Sequence, residues 1–218
     1  MTQQALNYLL NAEGREIHRN AKEDDITTAG GIYRTKHPSD PIFKYIDELA
    51  SAINLPAKSS TWTKQQIDTL NAHIKNNNYT STTLQHISNF YDKYLASAHI
   101  DKFPMLCQVT VLSLYTNSPK YGWMSIQQAI NILIDNGIVK NISKLDTDGV
   151  AGSGTIKAVI STTQQLTTET HELLYEAYML LAMSSQYGKL VAASPDKYLE
   201  YLVGWNNRLQ VLADIKTH

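Results

Sequence analysis

Apolar residues recur along most of this chain at the three- and four-residue spacing of amphipathic helices. The first stripe consists of Ala5, Leu6, Leu9 and Leu10 and ends near Glu13-Gly14, where a glycine lets the chain leave a helix. Further stripes predict helices after Pro41, over about 63–76 and 82–98, from Pro104 to Tyr115, over Ser125–Asn136, and over about 168–187 and 195–216. The pattern predicts a mainly α fold.

Residues 15–36 interrupt this helical pattern. They are polar, contain the charged run Lys22-Glu23-Asp24-Asp25, and end on two threonines followed by two glycines. Such a composition is typical of a loop or a short irregular hairpin. We therefore expect a helical bundle with a short β-hairpin or loop after the first helix.

The composition of the chain limits the kinds of partner that we expect it to bind. The 218 residues are 43% hydrophobic and 18% charged, as in an ordinary globular chain that buries a core. Nineteen basic residues against 20 acidic ones give a net charge of −1, which offers no electrostatic case for nucleic acid or an anionic membrane. Cys107, the sole cysteine, lies in an apolar run, so we expect a buried small side chain and no disulfide within the chain.

No targeting or membrane segment is predicted. The first four residues include no basic residue, and the apolar residues after them are interrupted by Asn7, Asn11 and Glu13, so no signal peptide is expected. The longest nearly uncharged apolar stretch, Met105 to Tyr115, is far shorter than the ~20 residues that span a bilayer. We expect this stretch to be a core helix.

Metal and cofactor motifs are missing from the sequence. None of the seven histidines forms the i, i+4 pair of a zincin helix, and the chain contains no Gly-x-Ser-x-Gly elbow, Walker loop or dinucleotide fingerprint. Asp146 and Asp148 alternate as in an EF-hand loop, but the next glycine comes too early and no glutamate occupies the twelfth position. The segment 148–155 is therefore interpreted as a glycine-rich turn, and no metal and no cofactor are predicted.

The carboxylates remain as candidates for chemistry. Cleavage of a glycosidic bond needs one acid that donates a proton and a second one in a different environment. Glu13, at a helix end beside apolar residues, is placed to have its pKa raised by desolvation and by the helix dipole. The cluster Glu23-Asp24-Asp25 lies on a polar loop, where a carboxylate stays ionised. These acids supply the pair that a glycosidase needs.

The spacing of these residues resembles glycoside hydrolase family 108, the N-acetylmuramidases common in phages. That family has Glu-Gly, an acid about nine residues later, and Thr-x-x-Gly-Ile five residues after that acid. Here Glu13-Gly14 matches the start and Thr28-Ala29-Gly30-Gly31-Ile32 matches the end. At Glu23 or Asp24 the second acid falls one or two residues later than the family spacing, and the choice among Glu23, Asp24 and Asp25 is open.

The C-terminal half carries three further matches in the same order. These are Gln127-Gln128-Ala129, then Asp148-Gly149 with Gly152 and Thr155, and then Gly204-Trp205-Asn206-Asn207-Arg208. In the family this half is a peptidoglycan-binding region. The resemblance therefore implies a lysozyme-like α+β fold with a catalytic part over residues 1–100 and a helical peptidoglycan-binding-like part over 101–218, packed together as one compact unit.

The resemblance also implies roles for individual residues. Glu13 is expected to be the general acid, while Glu23 or Asp24 activates a water together with Thr28. Gly31, Tyr33, Asn117 and Tyr121 are expected to contact substrate. Tyr115, Tyr121 and Trp123 are predicted on a loop that extends the sugar groove, whereas Trp205 is predicted to face a core, with Gly204 allowing close helix packing.

The implied activity is hydrolysis of the β-1,4 bond between N-acetylmuramic acid and N-acetylglucosamine. The expected partner is the peptidoglycan glycan strand, and the expected state is a monomer. A phage endolysin or virion-associated lysozyme fits this reading: the protein would stay in the host cytoplasm until released to the periplasm and cell wall, or be carried in a virion. Two alternatives stay open, an inactive wall-binding or phage structural protein on the same scaffold and an antibacterial effector exported by a dedicated secretion system.

Overall fold

A computed structural model of the chain describes residues 7–8, 10–11, 14–20, 24–96 and 99–214. Over these residues the fold is mainly α, with eight α-helices of three turns or more and one two-stranded sheet. The mainly α class and the short hairpin that follows the first helical residues are confirmed. The chain divides into two compact units, Met1–Tyr94 and Leu95–His218, close to the predicted division after residue 100.

The first unit contains the hairpin and three of these helices. Asn7, Tyr8, Leu10 and Asn11 are helical. The elements after them are β1 (His18–Asn20), β2 (Asp25–Thr27), α1 (Pro41–Ala52), a 3-10 turn (Ser59–Thr61), α2 (Lys64–Asn76) and α3 (Thr80–Ala96), which runs two residues into the second unit. The strands are antiparallel, with Arg19 opposite Ile26, and a bridge from Thr27 to Tyr33 extends the pairing.

Local capping explains where the helices of this unit begin. The Asp40 carboxylate accepts a hydrogen bond from the Ile42 amide, and Pro41 takes the first helical position, where its missing amide hydrogen is not needed. Thr63 and Gln66 form a capping box at the start of α2. The helices bury Phe43, Ile46, Leu70 and Ile87 together with Ile26 and Ile32 from the hairpin region.

The second unit is a helical bundle. It contains 3-10 turns at Ile100–Lys102 and Met105–Cys107, then α4 (Gln108–Asn117), α5 (Pro119–Asp135), α6 (Ser153–Gln165), α7 (Glu169–Ala193) and α8 (Pro195–Asp214). α5 and α7 form its centre, where Ile126, Ile130, Leu133, Met179 and Met183 are almost completely buried. Cys107, the sole cysteine, is buried in this unit, as predicted, and its thiol donates to the Glu172 carbonyl.

The predicted loop around Tyr121 is absent, which is a correction. α5 begins at Pro119 rather than at Ser125, so only Ser118 separates it from α4, and Tyr115, Tyr121 and Trp123 are helical. Pro119 starts the helix because its fixed φ suits the first helical position. The two helices also meet closely, since a Cβ on Gly122 would lie 2.8 Å from the Leu114 carbonyl oxygen.

The last helix differs from its prediction at one residue. Trp205 stacks on Tyr187 of α7 with ring centroids 4.6 Å apart, in agreement with a packing role. The prediction that Gly204 allows close helix packing is wrong, because a Cβ placed there would have no atom within 4 Å. Within the described part of the chain, no helix combines the length and the apolar character needed to cross a membrane.

Candidate functional site

Two of the predicted acids, Glu13 and Glu23, lie outside the described residues. The residue that follows Glu13 is nevertheless placed. Gly14 adopts a left-handed φ of 92°, and its carbonyl oxygen accepts a hydrogen bond of 2.9 Å from the Gly30 amide. The backbone immediately after Glu13 is therefore joined to the glycine turn at 28–32.

The segment from Thr28 to Ile32, named here the Gly30 turn, is closed by its own backbone. The Thr28 amide donates to the Ile32 carbonyl at 3.0 Å, and the Gly31 amide donates to the Thr28 carbonyl at 3.1 Å. Gly30 and Gly31 both have left-handed φ values, 77° and 81°, which favour glycine over residues with a side chain. The Tyr91 hydroxyl of α3 donates to the Gly30 carbonyl at 2.6 Å and anchors the turn to the helices.

Thr28 is completely buried in this turn. Its hydroxyl donates to the Ala29 carbonyl at 2.8 Å and accepts a weaker hydrogen bond from the Ile32 amide at 3.3 Å. A hydroxyl with these partners shapes the turn. That it also orients a catalytic water stays a prediction.

Asp24 presents its carboxylate to solvent. It lies at the end of the hairpin turn with a left-handed φ of 52°, and its side chain is 88% exposed. Arg19 of β1 is its ion-pair partner, with Nη2 2.5 Å from Oδ1. Arg19 is also attached to the 3-10 turn Ser59–Thr61, because its Nη1 donates a hydrogen bond of 2.8 Å to the Ser60 carbonyl. Asp24 is thus an accessible acid on an anchored strand pair.

Asp25 has a different environment, although it is the next residue. Its Oδ1 accepts hydrogen bonds of 2.7 Å from the Ile26 amide and 2.7 Å from the Ser59 hydroxyl. Ser59 in turn accepts from Arg34 Nη1 at 2.6 Å, and Arg34 pairs with Asp47 at 2.6 Å. Asp25 is therefore part of a polar network that attaches β2 to the helices, which is a structural role.

Sequence reasoning missed Ser59 and Arg34. Ser59 is 34 residues from Asp25 and 25 residues from Arg34, so no local motif joins them. The Arg34 guanidinium also lies 5.0 Å from the centre of the Phe43 ring and donates to the Phe43 carbonyl. Only the folded arrangement shows that these side chains form one network.

Asn71 of α2 is a third residue that the sequence did not indicate. Its side-chain oxygen accepts from the Ile17 amide at 3.0 Å, and its side-chain nitrogen donates to the Ile17 carbonyl at 2.8 Å. One amide side chain therefore satisfies both backbone groups of the residue that precedes β1. This contact fixes the hairpin against α2.

Two predicted substrate residues belong to the Gly30 turn and its exit. Gly31 is half-buried within the turn, and Tyr33 is half-buried just after it. The Lys36 ammonium group lies 4.5 Å from the centre of the Tyr33 ring and covers one ring face. Stacking of a sugar on that face would require Lys36 to move.

The other two predicted substrate residues, Asn117 and Tyr121, belong to the second unit. The side chain of Asn117 lies outside the described part of the structure, although its backbone ends α4. Tyr121 is half-buried in the first turn of α5. Its place on a helix removes the loop argument on which its predicted role rested.

The motif residues at 127 and 148–155 form a compact hydrogen-bonded group, named here the Gln127 network. Gln127 is 1% exposed; its Nε2 donates to Asp148 Oδ1 at 2.9 Å and to the Val150 carbonyl at 3.1 Å, and its Oε1 accepts from the Gly149 amide at 2.9 Å. Thr155 donates to the same Val150 carbonyl at 3.2 Å. The turn interpretation of this segment is supported because its polar groups hold one another.

The charge of Asp148 belongs to this network. Hydrogen bonds from the Val150 amide and then from the Gln127 side chain hold the pKa of the Asp148 carboxyl below its ordinary value of 3.8. Both partners favour the ionised form. Among the residues that the structure describes, no group of three or more His, Cys, Asp or Glu side chains is arranged to hold a metal ion.

The chain matches no protein-family model, no curated protein and no solved structure.

Proposed function

We propose that this protein is a peptidoglycan hydrolase, an N-acetylmuramidase with Glu13 as its general acid. The observation that carries the proposal is the hydrogen bond from the Gly30 amide to the Gly14 carbonyl. It joins Gly14, the residue after Glu13, to the Gly30 turn, although Glu13 and Thr28 are 15 residues apart in sequence. A lysozyme-type site needs this proximity between its acid and its glycine turn.

The positions of the remaining acids support a two-carboxylate mechanism. Asp24, which directly precedes β2, is exposed, and Glu23 precedes it in sequence. In an inverting hydrolase a second carboxylate, about 6.5–9.5 Å from the acid, activates a water that lies between them. Asp25 is the poorest candidate for this role because its Oδ1 is already bonded to Ser59 and to the backbone. We propose Glu23 or Asp24 as the second acid.

The first experiment measures clearing of Gram-negative cells whose outer membrane has been stripped. Glu13→Gln is expected to reduce the rate at least ~100-fold, the lower end of the contribution of general acid catalysis. Glu48→Gln is the matched control, since Glu48 is an exposed glutamate of α1 remote from the motif in sequence. Equal clearing by wild type and Glu13→Gln would contradict the proposal. Mass spectrometry of the products should find reducing N-acetylmuramic acid ends.

The second acid is identified by three amide substitutions in the same assay. Glu23→Gln or Asp24→Asn, whichever carries the role, is expected to abolish most of the clearing. Asp25→Asn should instead lower thermal stability, because it weakens the hydrogen bonds to Ser59 and Ile26. Full activity in both Glu23→Gln and Asp24→Asn would show that neither is the second acid.

The alternative is a protein that binds the wall without cleaving it. The later position of the second acid and the complete burial of Thr28 favour this alternative. Cosedimentation with purified sacculi separates the two: binding without release of muropeptides indicates the non-enzymatic function. A phage endolysin, a virion lysozyme and an exported effector would share the same catalytic residues, and genome neighbours such as a holin, tail genes or an immunity gene distinguish them.

A further inference from the structure

Asn136 and Gly137 close the C-terminal end of α5, the helix at the centre of the second unit. The Gly137 amide donates a hydrogen bond of 2.9 Å to the Ile134 carbonyl. The next amide, that of Ile138, donates one of 3.0 Å to the Leu133 carbonyl. Gly137 has a left-handed φ of 68°, which completes the Schellman pattern of a helix C-cap. The turn after α5 is thus held by its own hydrogen bonds.

The side chain of Asn136 belongs to the same cap. Its Nδ2 donates a hydrogen bond of 2.8 Å to the Ile132 carbonyl, which also accepts the Asn136 backbone amide at 3.0 Å. Asn136 and Gly137 are both exposed, and a Cβ on Gly137 would have no atom within 4 Å. Water therefore reaches both residues.

Asn136-Gly137 is the only Asn-Gly pair in the sequence, and such a pair favours the loss of side-chain ammonia. Glycine has no Cβ, so its amide nitrogen can reach the side-chain carbon of the preceding asparagine with little obstruction. In that step Gly137 N forms a bond to Asn136 Cγ, the Cγ–Nδ2 bond breaks, and Nδ2 leaves as ammonia with the amide proton of Gly137. Water then opens the cyclic imide and leaves aspartate or isoaspartate, so no oxidant or reductant takes part.

The folded cap holds both reacting groups in hydrogen bonds. The Gly137 amide is bonded to Ile134, and Asn136 Nδ2 is bonded to Ile132. Attack of the Gly137 nitrogen on Cγ requires the side chain and the peptide unit to turn away from these partners. The reaction therefore starts from the opened cap, and its rate depends on how often the end of α5 opens.

The product is less suited to the cap than asparagine is. An ionised carboxylate at position 136 has no hydrogen atom to donate to the Ile132 carbonyl. Its negative charge also lies at the C-terminal end of α5, where the helix dipole disfavours an anion. The neighbouring Lys144 is already paired with Asp135 at 2.7 Å. The conversion thus adds a negative charge to a helix end that already carries an acidic residue.

We propose that Asn136 is a site of spontaneous deamidation that the folded C-cap of α5 restrains, and that its conversion weakens this cap. The conversion makes further opening of the helix end more frequent, and refolding does not reverse it. The fraction of converted Asn136 therefore increases with the time that the end of α5 has spent open. The proposal is independent of the hydrolase function.

Asn77 gives a matched control within the same chain. It caps α2 as Asn136 caps α5, with its backbone amide and its Nδ2 donating to the His73 carbonyl at 3.2 Å and 2.9 Å. The next residue is Asn78, which has a left-handed φ of 58° but carries a Cβ. The two caps share these hydrogen bonds and differ in the residue that supplies the attacking nitrogen.

The test is the rate of deamidation at each asparagine of the full-length protein, followed by peptide mass spectrometry at mildly alkaline pH. The protein is kept folded in one sample and is unfolded in guanidinium chloride in another. Asn136 is expected to convert at least about tenfold more slowly in the folded sample, because two hydrogen bonds must open first. In guanidinium chloride it should convert faster than Asn77 and faster than it does in Gly137→Ala. Equal rates at Asn136 in the two samples, or no advantage over Asn77 in the unfolded one, would overturn the proposal.

The weakening of the cap is tested with Asn136→Asp, which has the product side chain from the start. We expect this variant to unfold at a lower urea concentration than wild type, because it loses the hydrogen bond to Ile132 and gains a charge at the helix end. Comparison with Asn136→Ala separates the added charge from the lost hydrogen bond. Asn136 is exposed, so both variants are expected to fold. An Asn136→Asp variant as stable as wild type would show that conversion leaves the cap intact and would overturn this part of the proposal.

Discussion

The two units each contain a glycine turn that belongs to the same sequence resemblance, and the two turns are closed in different ways. In the second unit the side chain of Gln127 is buried and bonds Asp148, Gly149 and Val150. In the first unit the Gly30 turn is closed by backbone hydrogen bonds and by Tyr91 from outside. Asp148 of the second turn accepts hydrogen bonds from its own turn and from Gln127, whereas Asp24, which precedes the Gly30 turn in sequence, is paired with Arg19.

The acidic residues near the two turns therefore have different surroundings. A carboxylate that already accepts hydrogen bonds from its own turn, as Asp148 does, stabilises that turn and has less capacity for substrate. Near the Gly30 turn, Asp25 is bonded to Ser59, and Asp24 is paired with Arg19 at an exposed position. The Gln127 network stabilises its turn, and the proposed catalysis depends on the first unit.

The largest effect is expected from Gly149→Ala. Gly149 has a φ of 78°, and a Cβ there would lie 2.5 Å from the Lys120 carbonyl oxygen, so strain and overlap act together. We expect a loss of about 2–4 kcal/mol in the free energy of unfolding of the second unit, measured by urea denaturation. Gly137→Ala is the control, with a φ of 68° and no atom within 4 Å of the added Cβ. Gly137→Ala should lower the free energy of unfolding by about 1–2 kcal/mol. Equal losses in the two variants would contradict the close packing of Gly149 against α5.

A smaller effect is expected in the first unit from Ser59→Ala. The substitution removes the hydroxyl that joins Asp25 to Arg34, and both groups lose a hydrogen bond in a half-buried place. A loss of about 1–3 kcal/mol in the free energy of unfolding is expected. Ser60→Ala is the matched control because Arg19 bonds the Ser60 carbonyl, which the substitution retains. If the two variants unfold at the same urea concentration, the network does not stabilise the hairpin.

The smallest effect concerns the loss of thermal stability at acidic pH. Folding lowers the pKa of Asp148 below its ordinary value of 3.8. The ionised carboxylate therefore contributes to the free energy of unfolding above about pH 4, and this contribution is lost as the pH falls through the pKa of the folded state. Asp148→Asn should therefore be less stable than wild type at pH 7, and the difference in Tm should shrink below pH 4. Thermal unfolding followed by circular dichroism from pH 7 to pH 2.5 measures this. A constant difference in Tm would show that the charge of Asp148 contributes nothing.

Periodicity was sufficient for most of the helices because their apolar faces are continuous and their caps are local. α2 was predicted at about 63–76 and is Lys64–Asn76, and its capping box consists of neighbours in sequence. The predicted start of α5 is six residues too late, because Tyr121 and Gly122 do not extend the apolar stripe. Their helical state depends on Pro119 and on the close contact of Gly122 with α4, and only the proline is visible in the sequence.

The sequence predicts only those parts of the candidate site that are formed by residues close together in the chain. The Gly30 turn follows from two glycines and a threonine, whereas its hydrogen bond to Gly14 is visible only in the structure. The network of Asp25, Ser59 and Arg34 depends on contacts between residues 25 to 34 positions apart, which carry no sequence signal. The separation of Asp24 from Asp25 by environment was therefore not predictable, although the two acids are adjacent.

The contact of Asn71 with Ile17 has a consequence for assembly. An unpaired strand edge offers free amide and carbonyl groups to another chain and is a common starting point for aggregation. The Asn71 side chain occupies both groups of Ile17 in the manner of a neighbouring strand. It thus leaves neither group of Ile17 available for β-pairing with another chain at the start of the two-stranded sheet.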